Sequence, residues 1–308
     1  MRTRLIAVLA CLIPSLAAAQ RTHVLIVSGL GGEPAYSASF ATTAAGLHEV
    51  ARTRWGVADS SLIWLAEDPA ADPTRIRGRS TRADVEQAFV ALSRQASPGD
   101  VVLVVLIGHG SGEGVASRVN LPGADPTAAE YDTWLSGLRQ QSVVFVNTAS
   151  ASGDFATVLA GPGRVIITAT RTALERNETT FATHFLRGLA SGEADANKDT
   201  RISALEAFEF AKAEVAKAYE ADKKLLTERA QLRDTTLASS LVFGAVKGNA
   251  DPRVVTLVAE RRALEDQVVA LRAQKDTMTA EAYEAALERL LIAIAEKTAQ
   301  IRALGGGP

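Results

Sequence analysis

Val101–Gly112 reads VVLVVLIGHGSG, and Val143–Phe155 reads VVFVNTASASGDF. Each is a run of apolar, mostly β-branched residues that stops abruptly in small polar ones. Continuous apolar runs of this length, without alternation, are the pattern of parallel strands buried on both faces. The first run ends in His109-Gly110 and the second in Ser150-Ala151-Ser152-Gly153. In open α/β sheets the carboxyl ends of the strands open onto the crevice where ligands bind. A histidine and a serine on two such ends are therefore the first candidates for a functional site.

Working outward, strands are expected at His23–Ser28, Leu62–Leu65 and Arg164–Thr168, besides Val101–Ile107 and Val143–Asn147. Helices are expected at Ser39–Arg54, from a capping box at Thr81 to Gln95, and over 126–138 with Asp125 as N-cap and Pro126 at the first position. Further helices are expected at Asn177–Leu189 and from the end of the Asp195–Glu206 segment to about Ala221. Alternation of strand and helix predicts an α/β fold with a doubly wound, mostly parallel sheet over about 20–248. From 250 to 308 the apolar residues change to a 3-4 spacing: Leu257, Leu264, Val268 and Leu271, then Leu287, Leu290, Ile294 and Ile301. Thr279 reads as the N-cap that starts the second of these helices. The spacing predicts an α-helical hairpin or short coiled coil. Arg261 and Lys297 fall in its inward phase, which suits a partly wet intramolecular edge better than a dry seam between chains. A second copy of the chain docking through the hairpin is the alternative.

The 308 residues are 47% hydrophobic and 22% charged, with a formal net charge of −2. This balance gives no electrostatic reason to expect nucleic acid or an anionic membrane as partner. Residues 1–19 have the form of a secretory signal peptide: Arg2 and Arg4, an apolar stretch over Leu5–Leu16, then Ala17-Ala18-Ala19 before Gln20. The protein is accordingly expected to be exported, to a periplasm or the extracellular space, with cleavage near Ala19. Val8-Leu9-Ala10 before Cys11 also permits a lipoprotein reading. No later segment reads as a membrane span. Cys11 is the one cysteine in the sequence, so the chain from Gln20 onward can carry neither a disulfide nor a cysteine nucleophile.

Nucleophilic catalysis needs a base to take the nucleophile's proton and preorganised N–H donors for the oxyanion. His109, Ser150 and the Gly110 N–H are the candidates. On residue types alone a hydrogen-bonded histidine at a strand end and a serine in a tight turn explain the same pattern. The motifs together resemble those of the caspase-like cysteine peptidases, and within them the legumain type. There a hydrophobic strand ends in His-Gly-Ser, and about forty residues later another ends in Ala-Cys-x-Ser-Gly. Here these places read His109-Gly110-Ser111 and Ala149-Ser150-Ala151-Ser152-Gly153, and the likeness runs from about Thr22 to Leu189.

The resemblance implies a caspase-like fold, a cleft for a peptide or protein ligand, and an oxyanion hole from the Gly110 and Ser150 N–H groups. It also marks a departure, because the family's nucleophilic cysteine falls on Ser150 and its acidic residue two places earlier on Thr148. The arginine with which legumains read asparagine has no counterpart, since none lies between Thr22 and Ala51. The expectation is a non-catalytic or weakly active peptidase homologue that serves as a binding or assembly module. The alternative is a hydrolase that uses a Ser150–His109 dyad.

Asp195, Asn197, Asp199, the Arg201 carbonyl, Ser203 and Glu206 stand at positions 1, 3, 5, 7, 9 and 12 of an EF-hand-like loop, with Ile202 at position 8. They are the expected ligands for Ca²⁺. Thr200 replaces the usual glycine at position 6, and a plain capping box accounts for Ser203 and Glu206 alone. Gly29-Leu30-Gly31-Gly32 lacks the spacing of a dinucleotide loop and has no Walker lysine. Asn177-Glu178-Thr179 has the form of a glycosylation sequon.

Overall fold

The computed structural model describes residues 21–199, 201–243 and 252–303. The expected leader lies outside the described residues. Nine strands are described: β1 (Thr22–Ser28), β2 (Leu62–Ala66), β3 (Gly78–Arg79), β4 (Val101–Ile107), β5 (Gly110–Ser111), β6 (Arg118–Val119), β7 (Ser142–Asn147), β8 (Arg164–Thr168) and β9 (Gln231–Arg233). Seven form one sheet in the order β3-β2-β1-β4-β7-β8-β9, while β5 and β6 make a small antiparallel ribbon. Pairing in the large sheet is parallel throughout except at β9, which runs antiparallel to β8. β9 was not expected, because its three residues QLR carry neither an apolar run nor an alternation.

Both faces of the sheet are covered. On one side lie α1 (Pro34–Thr53), α5 (Phe181–Ser191), α6 (Ala204–Ala221) and α7 (Thr235–Ser240); on the other lie α2 (Arg82–Gln95), α3 (Ala128–Leu135) and α4 (Phe155–Val158). The alternation within β4 shows why its whole sequence is apolar. Val101, Leu103, Val105 and Ile107 enter the first layer, and Val102, Val104 and Leu106 enter the second. A fully buried aliphatic side chain contributes about 1.5–3 kcal/mol relative to exposure, so the central strand can spare no position for a polar residue. Two helix starts differ from expectation. α3 is capped by Thr127 in a full capping box with Glu130, whereas Asp125 accepts from the Leu121 N–H. α5 begins at Phe181 rather than near Asn177, which leaves 177–180 free to serve the site described below.

The chain runs left from β1 to β2 and β3, then returns to β4 on the other side of β1. The carboxyl ends of β1 and β4 therefore flank the point where the winding reverses, where open α/β sheets place their ligands.

Beyond the sheet, α8 (Pro252–Ala273) and α9 (Ala280–Ala303) form the expected hairpin. Thr279 caps α9 by accepting from the Ala282 N–H at 3.3 Å. The two inward-phase cations find carboxylates: Lys297 lies 2.6 Å from Glu260 on the neighbouring helix, and Arg261 lies 3.5 Å from Asp199 of the α/β body. Among the described residues no helix is long and apolar enough to cross a membrane.

Candidate active-site cleft

β4 delivers His109 two residues past its end, and β7 delivers Ser150 three residues past its own. The ribbon formed by β5 and β6 folds the Gly110 backbone over the end of β7. There the Gly110 N–H donates to Ser150 Oγ at 3.2 Å. Only glycine permits this approach, because a Cβ on residue 110 would sit 2.2 Å from the Ser150 carbonyl oxygen. One of the two expected oxyanion donors is thus aimed at the hydroxyl itself. Ser150 is buried.

The turn that carries Ser150 is tightly held. Ala151 adopts φ +51°, a left-handed conformation that disfavours a side chain bearing Cβ, and its N–H is fixed to the Glu175 carbonyl at 2.8 Å. Ser152 Oγ meets Thr170 Oγ1 at 3.1 Å. From β9, the Gln231 side-chain amide donates to the Gly153 carbonyl at 2.8 Å and to the Arg171 carbonyl at 3.1 Å. The unexpected edge strand therefore clamps the turn.

His109 does not hydrogen-bond Ser150. Its Nε2 lies 3.1 Å from the Gly31 carbonyl, and its Nδ1 lies 3.0 Å from Glu178 Oε2. A carbonyl can only accept, so Nε2 carries a proton. The contact at Nδ1 then needs one more proton, held either by the ring or by the carboxyl. Tyr36 and Phe40 of α1 confine the ring edge-on, with centroids 4.9 and 5.1 Å away. Burial pushes the Glu178 carboxyl above the usual carboxylate range, and the positive charge of His109 pulls against that shift.

Glu178 is placed from a distance in sequence. Thr179 Oγ1 donates to the Thr148 carbonyl in a short hydrogen bond. The buried Glu228 accepts from the Thr180 N–H at 2.9 Å and the Phe181 N–H at 2.7 Å, closing the start of α5. Burial raises the Glu228 carboxyl, these N–H donors oppose the rise, and nearby Glu178 adds to it. Sequence reasoning singled out none of Glu178, Glu228 or Gln231 as site residues. In the sequence Glu178 is only the middle of a sequon inside an expected helix.

The EF-hand-like residues do fold into one loop. The Asp199 N–H donates to Asp195 Oδ1 at 3.1 Å and to Asn197 Oδ1 at 2.8 Å, and the Arg201 N–H donates to Asp199 Oδ1 at 2.8 Å. Ser203 and Glu206 form a complete capping box at the start of α6, and Glu206 Oε1 lies 3.3 Å from the Asn197 N–H. Burial raises the Asp199 carboxyl, opposed by the Arg201 N–H and reinforced by Glu206 and Asp195. Position 200 lies outside the described residues. Among the described residues, no three His, Cys, Asp or Glu side chains gather closely enough to hold a metal ion.

No protein-family model matches the chain, and no curated protein matches it. Among solved structures, protein GSU0716 from Geobacter sulfurreducens is similar at 12% identity and a TM-score of 0.48, over 74% of this chain and 100% of that one. The caspase drICE is similar at 13% identity and a TM-score of 0.41, over 71% of this chain and 89% of that one. These likenesses are distant, and the reading of the cleft rests on its own geometry and on the sequence motifs.

Proposed function

We propose that this chain is an exported, legumain-like member of the caspase-like peptidase fold whose cleft binds a peptide or protein segment without cleaving it. The observation that carries this reading is the pairing of the two key side chains with other groups. His109 spends both ring nitrogens on Gly31 and Glu178, and Ser150 Oγ accepts from the Gly110 N–H. A serine hydroxyl is a weak nucleophile unless a base takes its proton, and no base touches Ser150 among the described residues. The mature protein is therefore expected to resist a fluorophosphonate serine probe. Stoichiometric labelling at Ser150 that disappears in His109→Ala would establish the Ser150–His109 hydrolase instead.

The 195–206 loop supports a second element of the proposal, Ca²⁺ binding. Its donors are all oxygen, as a hard cation requires. Three of them are engaged elsewhere, Ser203 and Glu206 with each other in the capping box and Asp199 with Arg261, so binding is expected only at millimolar calcium. An ion that binds the folded but not the unfolded chain stabilises it by about 2.7 kcal/mol at a hundredfold excess over Kd. The melting temperature is expected to rise across millimolar calcium, and Asp195→Ala to abolish the rise. An unchanged melting curve in the parent protein would remove the metal from the account.

The hairpin is read as an intramolecular appendage, supported by the Arg261–Asp199 and Lys297–Glu260 pairs. Sedimentation of the protein is expected to show a monomer. On α9, Leu291 is 49% and Ile292 52% exposed. A dimer that dissociates on Leu291→Glu would instead make this face a contact between two copies of the chain.

A further inference from the structure

β2 runs directly into two acidic residues, Glu67 and Asp68. Glu67 Oε2 accepts from the Gly31 N–H at 3.2 Å and from Ser37 Oγ at 3.1 Å, while its Oε1 has no hydrogen-bond partner among the described residues. Asp68 Oδ1 accepts from the Ala70 N–H at 2.9 Å. Neither carboxylate is paired with a cation among the described residues. Both line a cavity of about 80 Å³ between the loop after β1, the start of α1 and the segment after β2, and no Lys, Arg or His lines it.

We propose that this cavity is a subsite for a lysine side chain of the ligand, with Glu67 as the residue that selects the ammonium group. The subsite deepens the reading of the cleft and rests on it only in taking the ligand to be a peptide.

Its position suits a ligand that passes His109. The Gly31 carbonyl accepts from His109 Nε2 at 3.1 Å, and the Gly31 N–H is the one held by Glu67. The cavity and the imidazole therefore stand on either side of one glycine. Phe40 lines the cavity, and its ring centroid lies 5.1 Å from that of His109. The carboxyl ends of β1 and β2 border the space, on the side of the sheet where such folds bind ligands. Asp68 and Ala71 are exposed, so the cavity opens to solvent. Its wall is fixed, because the Gly29 N–H donates to the Ile107 carbonyl at 2.8 Å and the Leu30 N–H to the Asn120 carbonyl at 2.9 Å.

Three chemical features choose the group. Two neighbouring carboxylates without a cation attract positive charge, and the half-buried setting of Glu67 weakens the screening by water. Apolar walls from Phe40, Ala41, Ala71 and Ile76 suit an alkyl chain and supply no oxygen. A calcium ion, which takes about six to eight oxygen ligands, is poorly served there. A guanidinium binds a carboxylate best through both oxygens at once. Glu67 has one to offer, since the Gly31 N–H and Ser37 hold Oε2. An ammonium is a compact point charge that needs only one. The size agrees, because one water needs about 10–15 Å³ and a cavity that holds benzene about 150 Å³. The space takes several waters or one slender chain, and no ring.

The test is amide NMR of the full protein at neutral pH, titrated with Nα-acetyl-lysine methylamide. Shifts are expected at the Gly31 and Ser37 amides, beside the carboxylate that the ammonium reaches. The norleucine derivative keeps the alkyl chain and lacks the charge, and it is expected to bind about tenfold more weakly, as loss of a hydrogen bond between charged groups requires. The arginine derivative is also expected to bind more weakly than lysine, and tighter binding of arginine overturns the choice of ammonium. Glu67→Gln keeps an acceptor for the Gly31 N–H and removes the charge. It is expected to erase the preference for lysine over norleucine. Ala71→Leu fills the cavity from its exposed rim without touching these hydrogen bonds, and is expected to weaken both derivatives. A merely structural Glu67 would lower the melting temperature of Glu67→Gln and leave the preference intact, and that result overturns the proposal. So does equal binding of lysine and norleucine derivatives by the parent protein. If Glu67→Gln does not fold, unchanged lysine binding in Ala71→Leu overturns it equally. Shifts with calcium chloride and none with the lysine derivative make the carboxylates a metal site instead. A single-residue derivative probes the cavity alone, so peptides that fail to bind would remove the cleft reading and leave the ammonium site standing.

Discussion

Ser150→Cys combined with Glu178→Ala is expected to yield a thiol that reacts with iodoacetamide at pH 7 on the order of tenfold faster than Ser150→Cys alone, because a neighbouring His⁺ lowers a thiol pKa. A free cysteine ionises near a pKa of about 8.5, so at neutral pH only a small share is thiolate. In the single variant Glu178 keeps its hold on Nδ1 at 3.0 Å, and its negative charge beside the cleft opposes a second anion. Removing that carboxylate frees Nδ1 for the new thiol and leaves the Gly110 N–H, now 3.2 Å from the Ser150 hydroxyl, to stabilise the thiolate. The background is low, since the chain from Gln20 onward has no other cysteine. Adding His109→Ala should return the rate to that of the single variant. If the double variant reacts no faster than a cysteine placed on the exposed surface, His109 and residue 150 do not share one cleft, and the cleft reading fails with it.

The frame of this cleft was legible because it is built from local patterns. Val101–Ile107 and Val143–Asn147 are apolar without interruption, which only strands buried on both faces need be. The chemistry at their ends, His109-Gly110 and Ser150 to Gly153, stands out against that background. The partners of these residues were not legible for a matching reason. Glu178 meets His109 across 69 positions of sequence, and its placement depends on Glu228 capping Thr180 and Phe181 from 48 and 47 positions away. No periodicity or spacing encodes a contact of that range. Glu67, the first of the acidic pair Glu67-Asp68 after β2, is similar: its bonds to the Gly31 N–H and Ser37 Oγ arise only when the loop after β1 folds over it. The α3 start was legible, however. Thr127-x-x-Glu130 is a capping box in plain view, but Asp125-Pro126 offered a stronger-looking start, and a proline at N1 is a preference rather than a requirement.

Gly153→Ala is the substitution expected to cost most stability in the whole cleft, about 3–5 kcal/mol, at the upper end of what single substitutions do. A Cβ on residue 153 would lie 2.2 Å from the Arg171 carbonyl carbon, 2.3 Å from its oxygen and 2.4 Å from Thr172 N. All three are backbone atoms, so no side chain can swing aside. The two segments cannot easily separate either. Gln231 bridges the Gly153 and Arg171 carbonyls with one amide, and Ser152 Oγ accepts from the Thr170 N–H at 3.2 Å. Making room for one methyl group breaks some of these bonds or pushes Ser150 away from Gly110. Gly161→Ala is the control: its Cβ would come no nearer than 3.7 Å to any atom, and those atoms belong to the Arg164 side chain. It is expected to fall within about 0.5 kcal/mol of the parent, as surface substitutions do. Urea unfolding of the two variants measures the difference directly. A Gly153→Ala protein within about 1 kcal/mol of the parent, where most substitutions fall, would mean that the turn does not press against the strand-β8 loop. The fixed placement of Ser150 against the Gly110 N–H, one of the pairings that support the non-catalytic reading, would then lose its physical basis.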